Sequence, residues 1–519
     1  MRWTCFCIPL FAVALTAAPV HAEVKVGSIF SDHMVLQRDK PVRVWGTADA
    51  DEAVTVEVAG KKASATANAE GNWKLELPAL EAGGPHTLTI TGSNKIEISD
   101  VLVGEVWLCS GQSNMAMTVN RARDFEAEQQ AATDSQIRQF KVGGNFASSP
   151  QQDCAGSWVS CSPDTVGGFS ATAYFFAREL KKQVDVPIGI INSSVGGTPI
   201  DAWVSETTQR SSGHLKPLIE QIDAAREEFD ADAARARFEK QQAEWREKVK
   251  EARAAGEKPP AAPRDPVALF ERKNTIGGLY NGMIAPVIHY SIRGGLWYQG
   301  EANSSPGKAE YYQYQLPLLV TSWRAENGSG DFPFAWVQLP NFQGTGRNWP
   351  VVREGMMDTL YLPHTGMAVT IDVGETKDIH PKDKQSVGAR LAQWAVATVY
   401  SDGSTDLVPM GPIYESHEID GDKIVVTMTY SGPGGLSYEP VEPSLATAAI
   451  ADADGKWHVA EIVECDDETI TFRAKDVKSP TALRYLWAND PTPSIRNSAG
   501  LPASPFRTDE LDDTTPFDQ

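Results

Sequence analysis

The sequence predicts an α/β fold in which a parallel sheet is flanked by helices, with an accessory antiparallel β domain at each end of the chain. Between about residues 101 and 403, short apolar runs alternate with stretches of helical periodicity, which is typical of a parallel sheet. Before and after that region, apolar and polar residues alternate in short segments bounded by turn residues. The length of 519 residues also exceeds a single hydrophobic core and favours two or three domains.

Residues 1–22 have the pattern of a secretory signal peptide. Arg2 precedes an apolar stretch, and small residues lead up to Ala22, as at a cleavage site. The apolar stretch is shorter than the roughly 20 residues that a membrane-spanning helix needs. We therefore expect export, with cleavage after Ala22 and a secreted or periplasmic location.

Residues 23–100 predict a small antiparallel β-sandwich. Apolar and polar residues alternate at 42–46 and 54–58, and turn signals follow at 59–62 and 70–73. Near the other end, residues 404–519 return to the same alternation, for example at 423–429, between loops rich in Gly and Pro. We expect a carboxy-terminal β region there.

The central region, residues 101–403, predicts the parallel sheet. A short buried strand at 186–192 follows an amphipathic helix at 174–180. Residues 206–262 form a charged, alanine-rich insertion with a sparse apolar stripe, which predicts a helical hairpin ending near Pro259 and Pro260. A structural helix pair, a lid and an oligomer contact all remain possible roles for it.

Three strand-like runs in the central region end in side chains that are able to do chemistry. The runs are followed by polar residues in the segments 103–115, 294–303 and 368–381. The carboxyl ends of parallel strands meet at one edge of a sheet, so these side chains are expected to converge. They are Ser113, Gln299, Glu301, Asn303, Asp378 and His380. A serine hydroxyl becomes a nucleophile when a base removes its proton and donors hold the oxyanion that it creates, and this set supplies both.

The charge balance argues against nucleic acid as a partner. The chain has a net charge of −21, and no basic run offers a track for phosphates. The four cysteines after the predicted signal peptide show no pattern typical of a zinc site. The short loop between Cys154 and Cys161 could close a disulfide in an oxidising compartment, and the sequence leaves open whether the two are bonded. We expect Cys109 to be a small buried residue beneath the serine turn.

The chain resembles the sialate O-acetylesterase family, whose members belong to the SGNH-type hydrolases. The motifs that carry the resemblance are spread in order over nearly the whole chain after the signal peptide. They lie at residues 32–37, 111–115, 194–200, 297–301, 378–381 and 500–509. The resemblance implies a jelly-roll-like amino-terminal domain and an SGNH-type catalytic domain. It also implies an esterase that removes O-acetyl groups from sugars without a metal or an organic cofactor.

The same resemblance implies the catalytic roles. Ser113 is the expected nucleophile, His380 the general base, and Asp378 the acid that orients the histidine. In SGNH enzymes the acid commonly precedes the histidine by three residues, whereas here the spacing is two. Asp372 or a backbone carbonyl is therefore an alternative orienting group.

The resemblance also implies an oxyanion hole. We expect it to consist of the backbone N–H of Ser113, a backbone N–H of Gly197 and the side-chain amide of Gln299, with Asn303 as the alternative amide. Further residues are expected to line the site: Gln112, Asn114, Gly196, Glu301 and Asn303.

Simpler interpretations compete with these roles. Ser113 alone resembles a helix cap, and residues 196–197 resemble an ordinary tight turn. Glu301 and Asp378 could form the carboxylate pair of a glycosidase, but that scheme leaves the serine motif without a role. A carbohydrate-binding protein without catalysis is the alternative of a different class.

The sequence leaves the substrate and the oligomeric state open. A sialic acid carries a carboxylate that needs a nearby cation, for which Arg347 and Arg353 are candidates. Acetylated xylan, or another polysaccharide that is neutral at the acetylated sugar, fits a site lined by aromatic rings. The candidate rings are Trp203, Trp297, Tyr298 and Trp349.

Overall fold

The structure, a computed structural model, describes residues 23–144, 146–344, 346–403, 406–510 and 513–518. The predicted signal peptide at residues 1–22 lies outside the described residues. Among the helices that are described, none combines the length and the apolar character that a membrane crossing requires.

The amino-terminal part of the chain forms two sheets that share an apolar interior. The strands are β1 (Lys25–Val26), β2 (Val35–Gln37), β3 (Val42–Thr47), β4 (Ala53–Val58), β5 (Lys61–Thr66), β6 (Asn72–Leu77), β7 (Gly83–Thr91) and β8 (Lys95–Gly111). The first sheet has the order β1-β3-β6 and is antiparallel. In the second, β4 pairs with β5 and β7, and β8 pairs with β7 and with β2.

Strand β8 passes from this second sheet into the central sheet without a break. Its burial alternates as far as Asp100, and every residue from Val101 to Gly111 is buried. Its first part pairs with β7, and its last part pairs with two strands of the central region. The expected domain boundary between residues 100 and 101 therefore lies inside one strand.

The central sheet contains six parallel strands and an antiparallel edge strand. The strands beyond β8 are β9 (Ile137–Lys141), β10 (Trp158–Ser160), β11 (Ile188–Ser194), β12 (Gly294–Tyr298), β13 (Phe334–Val337) and β14 (Thr365–Ala368), in the order β10-β9-β11-β8-β12-β13-β14. Strand β10 is antiparallel to β9. The chain leaves β8 toward β9 on one side and leaves β12 toward β13 on the other, so a crevice opens at the carboxyl ends of these two neighbours.

Helices cover both faces of the central sheet. They are α1 (Ser113–Ala116), α2 (Phe125–Ala131), α3 (Ala171–Val184), α4 (Glu206–Ser211), α5 (Lys216–Glu228), α6 (Ala231–Ala254), α7 (Pro266–Asn274), α8 (Tyr312–Asn327), α9 (Trp349–Asp358) and α10 (Lys384–Ala395). On one face, α3 and α10 pack together, and Phe176 and Trp394 enclose Trp107 of β8. On the other face, Trp323 of α8 packs against Trp297 of β12. The predicted α/β fold class is confirmed.

The helices of the insertion pair differently from those of the expected hairpin. Helix α7, which follows the predicted end of the insertion, packs against both α5 and α6. Phe229 at the end of α5 stacks on Phe270 of α7, and Trp245 of α6 donates a hydrogen bond to the carbonyl of Pro260. The segment after the two prolines therefore supplies the surface that holds the long helix α6.

The carboxy-terminal region is built from antiparallel sheets. Its strands are β15 (Ile413–Asp420), β16 (Lys423–Thr429), β17 (Leu436–Tyr438), β18 (Ala448–Ala451), β19 (Trp457–Val459), β20 (Glu461–Cys465), β21 (Thr469–Arg473), β22 (Ala482–Tyr485), β23 (Ile495–Asn497) and β24 (Phe506–Arg507). They form the sheets β15-β16-β21-β20, β17-β23 and β19-β18-β22-β24.

The structure contains no disulfide between Cys154 and Cys161. Cys154 and Cys161 are both buried free thiols, and they belong to two different apolar clusters because strand β10 runs between them. Burial raises the pKa of Cys154 to about 12 and that of Cys161 to about 11. Cys109 is a fully buried free thiol in strand β8, as expected.

Candidate active site

Ser113 lies at the carboxyl end of the central strand β8. The strand ends at Gly111, where a Cβ atom would approach the carbonyl oxygen of Tyr298 to 2.1 Å, so only glycine allows β8 and β12 to come this close. Gln112 is held to the end of β12 because its N–H donates to the Tyr298 carbonyl at 2.9 Å. Helix α1 then begins at the half-buried Ser113, whose backbone N–H, being in the first turn, has no acceptor within the helix.

The glycine turn after β11 lies directly against Ser113. A Cβ atom on Gly196 would be 3.3 Å from the Cβ of Ser113. At Gly197 the backbone has φ 72°, and a Cβ atom there would meet nothing within 4 Å. The structure therefore brings this turn beside the serine and leaves open space next to Gly197.

The loop that carries His380 is joined to the serine helix by one hydrogen bond. Nδ2 of Asn114, the residue after Ser113, donates to the carbonyl of Ile379, the residue before His380, at 3.0 Å. The His380 side chain is 32% exposed, which leaves its ring accessible. Burial lowers the pKa of His380, with smaller contributions in the same direction from Arg121 and Lys384. A neutral imidazole, the form that accepts a proton, is thereby favoured at neutral pH.

Asp378 lies beside His380 without orienting its ring through a hydrogen bond. Its Oδ1 accepts the backbone N–H of His380 at 2.9 Å and lies 3.8 Å from the imidazole Nδ1. Through its charge, this carboxylate raises the pKa of His380 and opposes the effect of burial. The alternative acid, Asp372, has both oxygens engaged by Arg390 and Arg496, which lower the pKa of its carboxyl despite burial.

The amide side chains after β12 belong to a buried cluster that we call the turn network. It consists of Asp201, Gln299, Asn303, Tyr312 and Gln315. Gln299 donates one amide proton to the carbonyl of Thr198 at 3.2 Å and the other to Oδ1 of Asn303 at 2.7 Å, while its oxygen accepts from Tyr312. Both protons that were expected to hold an oxyanion are therefore used inside the protein.

Asn303, the alternative amide donor, is equally occupied. Its Nδ2 donates to Asp201 at 3.2 Å and to Gln315 at 3.3 Å, and its Oδ1 also accepts the N–H of Ile200 at 2.9 Å. Gln315 donates in turn to Asp201 at 2.8 Å. This arrangement holds the segment that follows the glycine turn against the end of β12.

A second buried cluster, which we call the serine network, lies beneath Ser113 and consists of Asn114, Tyr298, Glu301 and Lys384. Asn114 Nδ2 donates to Glu301 Oε1 at 2.5 Å, and Lys384 Nζ donates to Asn114 Oδ1 at 2.7 Å. Among the described residues, Glu301 Oε2 and the Tyr298 hydroxyl have no hydrogen-bond partner. Burial raises the pKa of Glu301 and lowers the pKa of Lys384 to about 7.

The aromatic side chains that were expected to line a sugar site are core residues. Trp203, Trp297, Tyr298 and Trp349 are all fully buried. Arg353, one of the two expected carboxylate ligands, is also fully buried, and it donates to four backbone carbonyls. These expectations were wrong because strand ends and helix faces that look exposed in sequence are covered by α8, α9 and the carboxy-terminal region.

Three other arginines lie near the serine. Arg347 Nη1 donates to the Glu301 carbonyl at 3.0 Å, and the exposed Arg272 of α7 donates to the Gly196 carbonyl at 3.2 Å. Arg121, also exposed, lies close enough to His380 to lower its pKa. In the described part of the chain, neither Arg121 nor Arg272 forms an ion pair with a carboxylate. Three guanidinium groups thus lie near Ser113 and His380 on a strongly acidic protein.

A separate cavity of about 830 Å³ lies between the amino-terminal sheets and the central region. Trp45, Lys74 and His289 are among its lining residues. Residues 289–291 and 327–329 precede β12 and β13, so this cavity is at the amino ends of the parallel strands. The cavity and Ser113 are therefore at opposite ends of the parallel strands.

Sequence reasoning missed Lys384 and Arg272. Lys384 occupies the first position of α10, where a cation is disfavoured by the helix dipole, and this departure was the available signal. Arg272 follows the insertion by about ten residues and has no such signal. Its contact with residue 196 depends on how α7 packs.

The comparisons with known proteins agree with this geometry. The profile of the family described as carbohydrate esterase, sialic acid-specific acetylesterase matches residues 103–235 and 268–397. The interruption between the two matches contains most of α6. The chain is also similar to a carbohydrate acetylesterase from Xanthomonas citri, with 33% sequence identity, a TM-score of 0.77, and coverage of 94% of this chain and 100% of that one.

The chain is also similar to curated sialate O-acetylesterases. The sialate O-acetylesterase of Rattus norvegicus is 28% identical over 93% of this chain and 94% of its own length. That of Homo sapiens is 27% identical over 93% of this chain and 92% of its own length.

Proposed function

Because the chain belongs to the carbohydrate esterase family of sialic acid-specific acetylesterases, we propose that it removes O-acetyl groups from sugars by way of an acetyl-enzyme on Ser113. The observation that carries the catalytic assignment is the position of Ser113. The glycine turn touches it on one side, and Asn114 ties it to the histidine loop on the other.

In the first half of the reaction, Ser113 Oγ attacks the acetyl carbonyl while His380 accepts the hydroxyl proton. The tetrahedral intermediate collapses, and the C–O bond to the sugar breaks as His380 returns the proton to the departing alcohol. In the second half, His380 takes a proton from water, whose oxygen attacks the acetyl-serine ester. Acetate leaves, and Ser113 recovers its proton from His380.

We assign the oxyanion to the backbone N–H groups of Ser113 and Gly197. Gln299 has no free proton in this arrangement, so we give it the role of holding the turn through Thr198. This replaces the sequence-based assignment of its amide to the oxyanion. Asp378 makes no hydrogen bond to the His380 ring, so we give it an electrostatic role, in which its charge stabilises the imidazolium that forms during the reaction.

A sialic acid ester is the substrate that the surroundings of Ser113 favour. A sialic acid carries a carboxylate, and Arg121, Arg272 and Arg347 supply positive charge near the site. The rings that would have favoured a neutral polysaccharide are buried in the core. Acetylated xylan therefore ranks second. Export by the predicted signal peptide remains part of the proposal.

The test is acetate release from O-acetylated sialic acid and from acetylated xylan. We expect Ser113→Ala to lose at least about 10,000-fold in kcat, as when a catalytic serine is removed from other hydrolases. Ser211→Ala, at an exposed serine of α4, is the matched control and should keep full activity. Equal hydrolysis by wild type and Ser113→Ala would refute the mechanism.

The substrate preference is tested with Arg272→Gln. Losing a charge-assisted hydrogen bond to the sialic acid carboxylate should raise KM for the sialic acid ester about tenfold. The KM for acetylated xylan should not change. The matched control is Lys273→Gln, at the exposed neighbouring residue. An equal change of KM for both substrates would show that Arg272 does not bind the sialic acid carboxylate.

A further inference from the structure

We propose that Lys384 is a positioning residue of the active site, which fixes the orientation of the Asn114 amide and thereby the alignment of Ser113 with His380. This inference rests on the proposed function, because it assigns a role within the same site. Lys384 itself is expected to touch neither the substrate nor the reacting atoms.

The lysine is placed where several effects oppose its charge. Its side chain is fully buried, and it occupies the first position of α10, at the positive end of the helix dipole. Among the described residues, no carboxylate oxygen lies within 4.0 Å of Lys384 Nζ, the distance that an ion pair requires. The ring of Tyr298, whose centroid is 5.2 Å from Nζ, gives only a weak cation–π contact.

The short contact of Lys384 is with the Asn114 side chain, which bridges it to Glu301. The ammonium donates to Oδ1 at 2.7 Å, and the Nδ2 group on the other side donates to Glu301 at 2.5 Å. When Lys384 is protonated and Glu301 is ionised, the amide dipole is aligned between a cation and a carboxylate. The two charges are joined through the amide rather than by direct contact.

This arrangement selects one of the two orientations of the amide. With Oδ1 held by Lys384, Nδ2 also faces the Ile379 carbonyl, to which it donates at 3.0 Å. If the amide were reversed, Oδ1 would face both the carboxylate and the carbonyl, and Nδ2 would face the ammonium. Each of those contacts pairs like with like, so the reversed orientation is strongly disfavoured.

The selected orientation has a direct consequence for catalysis. Asn114 follows Ser113 and Ile379 precedes His380, so one side-chain hydrogen bond sets the spacing of the two reacting groups. Without Lys384, Asn114 Oδ1 loses the donor that holds it, so the amide is fixed only from its Nδ2 side and the tie between the histidine loop and the serine helix is loosened. A displacement of about 1 Å in a catalytic group costs about 100-fold in rate.

The experiment is a double-mutant cycle of Lys384→Met and Asn114→Ala, assayed with 4-nitrophenyl acetate. We expect Lys384→Met to lower kcat about 100-fold and to leave KM within twofold. Since Lys384 acts through Asn114, adding Lys384→Met to Asn114→Ala should lower kcat no further than threefold. The exposed Lys382→Met, two residues earlier, is the matched control and should keep wild-type kcat.

Two results would overturn the proposal. One is a kcat for Lys384→Met within threefold of wild type, and the other is a double variant in which the two losses multiply. A purely structural role would give multiplying losses together with parallel losses of thermal stability. If Lys384→Met does not fold, the same cycle is run with Lys384→Gln, whose amide ends one bond short of the ammonium and is expected to give the same loss.

The outcome can be separated from a failure of the proposed function. Retained activity in Ser113→Ala would refute the serine mechanism as a whole. An inactive Ser113→Ala alongside a fully active Lys384→Met would refute only the positioning role.

Discussion

The turn network holds the segment after the glycine turn, and the serine network holds the serine helix to the histidine loop. The two differ in how completely their polar atoms are paired. In the turn network, Asn303 uses both amide protons and its oxygen, and Gln299 does the same. In the serine network, Glu301 Oε2 and the Tyr298 hydroxyl lack partners among the described residues.

This difference indicates that the two networks have different roles around Ser113. A fully paired buried network is stabilising and rigid, which suits a turn that must present backbone N–H groups at fixed positions. A network with unpaired atoms and opposed charges costs stability, and such costs persist in proteins mainly at functional sites. We therefore assign rigidity to the turn network and alignment to the serine network.

Among the variants that compare the two networks, Asn114→Ala is expected to cause the largest loss of kcat. The variant removes the only described tie between the serine helix and the Ile379 carbonyl, so kcat should fall about 100-fold or more. Its stability should fall less than that of the corresponding variant in the turn network, because Glu301 and Lys384 are then able to approach each other. Steady-state kinetics and urea unfolding measure the two quantities. A stability loss larger than the one for Asn303→Ala would contradict the assignment.

Asn303→Ala should show the opposite balance. It leaves Asp201, Gln299 and Gln315 with buried polar atoms that have lost a partner, so we expect the free energy of unfolding to fall by about 2–4 kcal/mol. The kcat of the folded variant should fall less than tenfold, because no reacting group is displaced. A variant as stable as wild type but almost inactive would show that the turn network acts in alignment instead.

The smallest effect concerns the pH dependence of the histidine. His380 must be neutral to accept a proton, so kcat/KM should rise with pH through its pKa, which burial lowers from its usual range. Asp378 raises that pKa through its charge, so Asp378→Asn should move the rise to lower pH. Lys377→Gln, at the exposed neighbouring residue, serves as the control. A rise that does not move would show that Asp378 is electrostatically unimportant to His380.

The sequence motifs predicted the groups at the strand ends, because strand ends in a parallel sheet converge whatever the details of packing. Ser113, the glycine turn and the His380 loop were brought together as expected. The sequence could not predict that Gln299 donates its amide protons inside the protein and not to an oxyanion. That outcome depends on where Asn303 and Tyr312 place their own polar atoms. The contact of Lys384 with Asn114 spans 270 positions in the chain and follows only from the packing of α10.

The predicted domain boundary coincides with a change of burial inside one strand. The change from alternating to continuous apolar residues near residue 101 predicts the start of a new domain. The pattern is real, but it marks the point where β8 leaves a sheet with one exposed face and enters a sheet buried on both. A change of environment along one strand and a change of domain have the same sequence signature.

The unbroken course of β8 bears on how the protein is made. As the chain emerges during synthesis, β7 is able to pair with the first part of β8 long before β11 and β12 exist. The last part of β8, from Glu105 to Gly111, then lacks both of its neighbours and presents a largely apolar edge onto which the later strands must add. The amino-terminal sheets thus provide a template for the catalytic region. Until β11 and β12 arrive, that template is also the segment of the nascent chain most exposed to aggregation.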